Sequence, residues 1–309
     1  MVDIFLQTIP FFALIGLGYG AGRSGFFPPE ANAWLTKFVF YFALTAMLFR
    51  FSANLSLAEV LDWTLVAAYL AATVPLYLLV TLVARLRRLP VAEAAIEAQC
   101  GVIGNVGFLG VPMLVMLLGE AAIGPVMLVL ATDLLVFSSL VVAIITGSRQ
   151  GRLEPAILRT IGLGLLRNPM IVAIGLGFAV SALGWPVPGP VNQFLVLLGA
   201  AATPGALFAI GASLSDKSAE RMRIAIWLST VKLVLHPVAV AISMLLIFKV
   251  ERYSAGVAIA AAALPVAGNV YMLAQHYRVA PQRVSTAILV STALSVLTVT
   301  FVIGWVKPL

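Results

Sequence analysis

Ten stretches of this chain are each long and apolar enough to cross a bilayer. A membrane span needs about 20 mostly apolar residues. Such stretches cover residues 3–22, 31–51, 60–84, 92–118, 121–146, 169–185, 190–214, 223–248, 254–276 and 284–306. Apolar residues make up 62% of the chain and charged residues 10%, against about 25% charged in a soluble domain. The solvent for this surface must therefore be lipid, and backbone immersed in lipid must satisfy its own hydrogen bonds as helix or closed barrel. The opening MVDIFLQ lacks a positive leader region, so the first span is expected to remain uncleaved. The single cysteine, Cys100, excludes an internal disulfide and a cysteine metal cluster. The net charge of +7 is scattered over short loops and forms no basic stripe, which argues against nucleic acid.

Residues 149–168 break the pattern. Arg149, Arg152, Arg159 and Arg167 alternate there with Leu153, Ile157, Leu158, Ile161 and Leu165. A basic amphipathic helix of this kind lies in a membrane interface. It divides the chain into a first five-span unit (1–147), a linker (148–168) and a second five-span unit (169–309). One side of the membrane receives Arg23, Lys37, Arg85, Arg87, Arg88, Arg149, Arg152, Arg159, Arg167, Lys217, Arg221, Arg223, Arg278 and Arg283. The other receives Arg50, Lys249, Arg252 and Lys307. Positive loops stay in the cytoplasm. The expectation is a cytoplasmic linker with both termini outside.

The two units repeat one another. Pro10 and the run Ile15-Gly16-Leu17-Gly18-Tyr19 recur 159 residues later as Pro169 and Ile174-Gly175-Leu176-Gly177-Phe178. Leu48-Phe49 recurs as Leu207-Phe208 at the same offset, and Pro75 recurs as Pro237 at 162. Gly104-Asn105-Val106 recurs at 164 as Gly268-Asn269-Val270, and Leu109 as Leu273. An odd number of spans per unit inverts the second copy. The expected fold is thus an all-α membrane protein of ten helices in two inverted five-helix repeats, an architecture of alternating-access transporters.

The fourth and ninth spans contain CGVIGNVGFLGVPML and ALPVAGNVYML. Gly loosens a helix, and Pro removes a donor and clashes with the preceding turn. Pro112 and Pro265 are expected to fix breaks in these helices, and Gly104, Asn105, Val106, Gly107, Gly268, Asn269, Val270 and Tyr271 to border a shared site. Two half-helix N-termini there favour an anion, most simply a carboxylate. The alternative for each motif is close packing, with Asn serving local backbone.

Four segments, GNVGFLGVP (104–112), ATPGALFAIGASL (202–214), VKLVLHP (231–237) and ALPVAGNVYMLAQHY (263–277), resemble the auxin efflux carrier family over the whole chain. The family includes bacterial malonate-type carriers and plant PIN-formed carriers. The resemblance implies a fold similar to bile-acid/sodium symporters. Helices one, two, six and seven would form a scaffold, through which a homodimer is expected. Helices three to five and eight to ten would form a transport domain that moves like an elevator, with helices four and nine crossing at their breaks beside the substrate carboxylate. Thr45 stands where the family often has Pro, and joins the expected binding residues. The plant carriers' long central loop is absent.

Ionisable residues inside spans are costly and point to function. Asp133 falls in the fifth span, and Lys232 and His236 share a face of the eighth. They are expected to carry any coupling, with Asp133 and Lys232 pairing or exchanging a proton. The competing reading is a structural ion pair, or a snorkelling lysine. Gln275 is a further candidate for the cavity wall. Glu93 and Glu97 are expected to favour the fourth helix's N-terminus, and Cys100 to pack. No acidic cluster marks a sodium site, so no cofactor is expected and proton coupling is favoured over sodium. No nucleotide-binding G-x-x-x-x-G-K-[ST] occurs, and no H-E-x-x-H. Neither an ATP-driven pump nor an enzyme is expected. A channel-like uniporter is the alternative to a carrier for a small organic anion, with membrane lipids as the other partner.

Overall fold

The computed structural model describes residues 2–55, 61–150, 156–215 and 222–307. Arg152, Leu153, Lys217 and Arg221 lie outside the described residues, as do the side chains of Arg149, Ile157 and Leu158. Among the described residues all regular structure is helical except for one isolated β-bridge.

The helical segments are α1 (Val2–Arg23), α2 (Pro29–Ala53), α3 (Trp63–Leu86), α4 (Val91–Val102), α5 (Val106–Leu118), α6 (Glu120–Ser148), α7 (Ala156–Arg167), α8 (Pro169–Ala182), α9 (Gly189–Ser215), α10 (Met222–Ile247), α11 (Arg252–Ala262), α12 (Gly268–His276) and α13 (Pro281–Val306). Six of these are long and apolar enough to cross a membrane: α2, α3, α6, α9, α10 and α13. A seventh is gained if α7 and α8, which meet at a 75° bend, count as one. Asn168 makes that bend by capping α8, its side chain accepting from the Met170 N–H at 3.0 Å ahead of Pro169. Large apolar side chains including Leu17, Trp34, Phe194, Leu197, Leu246 and Phe301 are exposed on the outside, as a lipid solvent requires.

Two carboxylates cap helices. Asp62 accepts from the N–H groups of Thr64 and Leu65 at 2.8 and 3.0 Å. Glu251 accepts from those of Tyr253 and Ser254 at 2.8 and 2.7 Å. Slight burial pushes the Glu251 carboxyl up, but the two N–H groups pull it further down, leaving it below the usual carboxylate range. Its cap therefore stabilises α11 above the unfolded carboxyl's range, and the contribution fades as pH falls through the lowered value.

Five turns are widened to π geometry: Val39–Ala43, Val106–Gly110, Asp133–Phe137, Val231–Leu235 and Ile242–Ile247. Two of them immediately precede prolines, Pro112 and Pro237, whose missing N–H frees the carbonyl one turn back. This corrects the expectation for Pro112. It lies inside α5 and widens the first turn, while the chain leaves helical geometry earlier, at Ile103–Asn105.

The first half of the chain packs reciprocally on the second. The helix α1 lies along the second half of α9, and α8 lies along the second half of α2. Both contacts are backbone to backbone. A methyl group placed on Gly18 would sit 2.1 Å from the Phe208 carbonyl oxygen, and one on Gly177 would sit 2.6 Å from that of Phe49. Gly18 and Gly177, like Phe49 and Phe208, are the 159-offset partners of the internal repeat. Thus each unit offers its glycine to the other unit's phenylalanine.

Gly18→Ala and Gly177→Ala should each destabilise the protein by about 1–3 kcal/mol through overpacking. Gly16→Ala, with nothing within 4 Å of the new methyl, should be neutral or stabilising by up to about 1 kcal/mol. Thermal unfolding in detergent, followed by size-exclusion chromatography, separates the two outcomes.

Candidate functional site: the crossover of two broken helices

Between α4 and α5 the chain is extended at Ile103 (φ −87°, ψ 113°). Between α11 and α12 it unwinds over residues 263–267. The two unwound stretches run antiparallel and form the β-bridge, Gly104 opposite Val266. The Asn105 N–H donates to the Pro265 carbonyl at 2.8 Å, and the Ala267 N–H to the Ile103 carbonyl at 3.1 Å. From α13, Ser291 Oγ accepts the Val266 N–H at 3.1 Å. Each break thus supplies partners for the groups the other leaves free. Pro265 fits this position because its carbonyl is used and it has no N–H to satisfy.

The crossover brings most of the expected residues together. Gly104, Asn105, Gly107, Asp133 and Asn269 line one cavity of about 20 Å³, room for about one water. A larger cavity of about 270 Å³ shares Asn269, Leu134 and Met170 with it and runs to Ile161 and Leu165 of α7. The α5 and α12 N-termini both start at the crossover. Gly268 has open space where a side chain would be. Val106 and Val270 are buried beside the breaks.

Other expected residues stand apart. Thr45 turns its hydroxyl to the Tyr41 and Phe42 carbonyls of its own helix, at 2.8 and 2.9 Å. Gln275 is exposed on α12 and donates to Tyr271 Oη at 2.8 Å. Neither lines the two cavities.

The buried charges form a network across three helices. Asp133, 2% exposed, sits on the π-turn of α6 and accepts from Tyr69 Oη of α3 at 2.9 Å. Its other oxygen, Oδ2, has no hydrogen-bond partner, and neither has Asn269 Oδ1. Lys232, on the π-turn of α10, donates to the Ala262 carbonyl at the end of α11 and lies 3.1 Å from His236 Nδ1. A cation there complements the negative end of the α11 dipole. A methyl on Gly104 would lie 3.2 Å from Lys232 Nζ, so the ammonium sits directly behind the crossover. His236 Nε2 meets Thr73 Oγ1 at 3.0 Å, and its ring lies 5.8 Å from that of Tyr69. The direct Asp133–Lys232 ion pair is therefore not formed: both residues are buried, but Tyr69 and His236 take the contacts.

Tyr69, Thr73 and Ser291 escape sequence reading. The pair Tyr69/Thr73 is spaced one turn apart on α3, as Lys232/His236 is on α10, and that shared spacing is the signal they carried. Gln99, one turn before the first break, is also buried, with both amide atoms unpaired.

Glu97 departs from the simple helix-dipole expectation. It is buried and paired with Arg87, and its Oε1 lies 2.9 Å from Arg283 of α13, which also meets Glu93 at 3.0 Å. The cluster ties the α3–α4 corner to the start of α13.

Residues 3–303 match a protein family described as membrane transport protein. The chain belongs to that family, the auxin efflux carrier family that its motifs resemble. It is also 32% identical over 306 residues to a protein of Rhizobium meliloti (strain 1021) named "Putative malonate transporter", covering 97% of this chain and 95% of the relative. It is a multi-pass membrane transporter rather than an enzyme.

Removing Arg283 should leave Glu97 buried with Arg87 alone. Breaking such a pair costs about 3 kcal/mol, and Arg87 is the more exposed partner. Arg283→Ala should therefore lower the unfolding temperature more than Arg87→Ala. Equal losses, measured in the same detergent, would count against a clamp centred on Arg283.

Proposed function

We propose that this chain is a secondary carrier for a small organic anion, a carboxylate, bound where the two broken helices cross. The observation that carries this reading is the crossover itself. Two half-helix N-termini and two asparagines converge on cavities that extend from the bridge Gly104–Val266 to α7. Free N–H groups and positive dipole ends suit a carboxylate. The relative named for malonate points to the same substrate class.

On this reading the broken pairs α4/α5 and α11/α12 are single interrupted spans. With α1 and α8 they complete ten spans in two inverted five-helix repeats, and α7 is the amphipathic linker between them. The reciprocal glycine contacts of α1 with α9 and α8 with α2 support that symmetry. These four helices form the scaffold, which also offers the surface for a homodimer. The helices α3–α6 and α10–α13 form the transport domain, which shifts as a body to expose the crossover alternately to either side. The positive loops place α7 in the cytoplasm of the inner membrane and both termini outside. The 270 Å³ cavity beside α7 is then the inward-facing vestibule.

Thermal-shift measurements with mono- and dicarboxylates test the site. At a concentration about 100 times Kd, a ligand bound only by the folded state stabilises it by about 2.7 kcal/mol. Malonate is expected to stabilise the wild type, and Asn105→Ala and Asn269→Ala should each abolish the shift. An undiminished shift in both variants places the binding site elsewhere. Counterflow in proteoliposomes tests the mechanism. A carrier exchanges labelled for unlabelled malonate across the membrane, whereas a channel-like uniporter shows no trans-stimulation.

A further inference from the structure

We propose that Asp133 is the proton-binding group of the carrier, and that a carboxylate substrate and a proton occupy the crossover together. This rests on the reading of the crossover as an anion site. Asp133 is the only ionisable residue lining the small cavity there. Tyr69 holds one of its oxygens at 2.9 Å, while Oδ2 is unpaired. Asn269 Oδ1, on the same cavity, is unpaired as well. The cavity wall thus presents two unmatched acceptors. A carboxylate brings only further acceptors. Beside an ionised Asp133 at about 4 Å, it would bind roughly 10³-fold more weakly, taking an effective dielectric of about 20. A proton on Oδ2 removes the repulsion and turns that oxygen into a donor aimed into the cavity.

The surroundings favour a proton over a metal cation. Asp133 is the sole carboxylate lining the small cavity, whereas a hard cation takes about six or more oxygen ligands, several of them carboxylates. Lys232 already places a fixed ammonium behind Gly104, bound to the Ala262 carbonyl. The titratable groups that face Asp133 are Tyr69 of α3 and Lys232 and His236 of α10. The sequences of α5 and α8 contain no ionisable residue, and those of α11 lie at its far end, at Arg252 and Tyr253.

Coupling follows from charge. With Asp133 ionised and Lys232 charged, the empty site is neutral. With Asp133 protonated and a monoanionic substrate, hydrogen malonate for the probe used below, the loaded site is neutral again. Either partner alone leaves a net charge, which is costly to carry through hydrocarbon. The O–H bond forms with a proton from water on the loading side and breaks to water on the other.

The test uses the full chain in sodium-free liposomes with malonate as the probe. Malonate exchange at equal pH is measured separately from accumulation driven by a pH gradient. The wild type should accumulate the malonate monoanion up to tenfold per pH unit. Asp133→Asn should lose this accumulation, and its residual exchange, whatever its rate, should lose its pH dependence. Tyr69→Phe keeps the ring but removes the donor to the ionised carboxylate, so its pH midpoint for accumulation should move upward; an unmoved midpoint counts against the proposal, and the wild-type and Tyr69→Phe arms decide the matter should Asp133→Asn fail to fold. Three results overturn the proposal while leaving the anion site standing: wild-type exchange without proton-driven accumulation, accumulation that requires sodium, or proton-driven accumulation by Asp133→Asn. Absence of any malonate exchange in the wild type overturns both readings.

Discussion

Hydrocarbon offers no partner to a free backbone N–H or carbonyl, and the whole centre of this molecule is organised by that fact. Two helices stop in mid-course, and each would be intolerable alone. They are tolerable together because their unwound stretches pair as an antiparallel bridge, with Asn105 donating to Pro265 and Ala267 to Ile103. Ser291 and Lys232 complete the set from α13 and α10. The bridge is therefore a joint property of both halves of the chain. A change at either break alters the hydrogen bonding of the other.

Around this centre the molecule is held in two different ways. The pairs α1/α9 and α2/α8 meet through glycines seated on carbonyls, so little space separates their backbones. Sliding one helix along the other would drive a carbonyl into the next Cβ. The helices around the crossover are joined instead by side chains: Tyr69 to Asp133, Thr73 to His236, Ser243 to the Ala68 carbonyl. Such contacts tie α3, α6 and α10 to one another, and a buried Thr8–Thr300 hydrogen bond of 3.0 Å links α1 to α13.

Hydropathy, glycine and the repeated Gly-Asn-Val made much of this legible. Lipid leaves helix as the form available to most of the chain, so spans could be read from apolar length alone. The breaks could be read because Gly and Asn are poor helix formers and recur at equivalent places. The position of the first break could not be read from Pro112, since a proline near a helix start is accommodated by a widened turn. Partners of the buried charges were hidden for another reason. Tyr69, Thr73 and Ser291 are unremarkable in apolar helices, and only the tertiary approach of α3, α10 and α13 gives them their roles. Thr45 and Gln275 show the converse error. A polar side chain in a span can be satisfied within its own helix, through a carbonyl one turn back or a side chain at i−4, and composition cannot tell this from a cavity wall.

The asymmetry between the halves has a physical consequence. At the 162-residue offset of Pro75 and Pro237, Lys232 corresponds to Leu70 and His236 to Val74. The related helices α3 and α10 thus meet with different chemistry: hydroxyls from one, a lysine and a histidine from the other. The Lys232 ammonium is tied to the carbonyl end of α11 and also lies directly behind Gly104, in the break that follows α4. One cation, drawn from the second half alone, therefore stands beside both unwound stretches. The crossover is thus repeated in its Gly-Asn-Val segments and polarised in charge, because its lysine comes from α10.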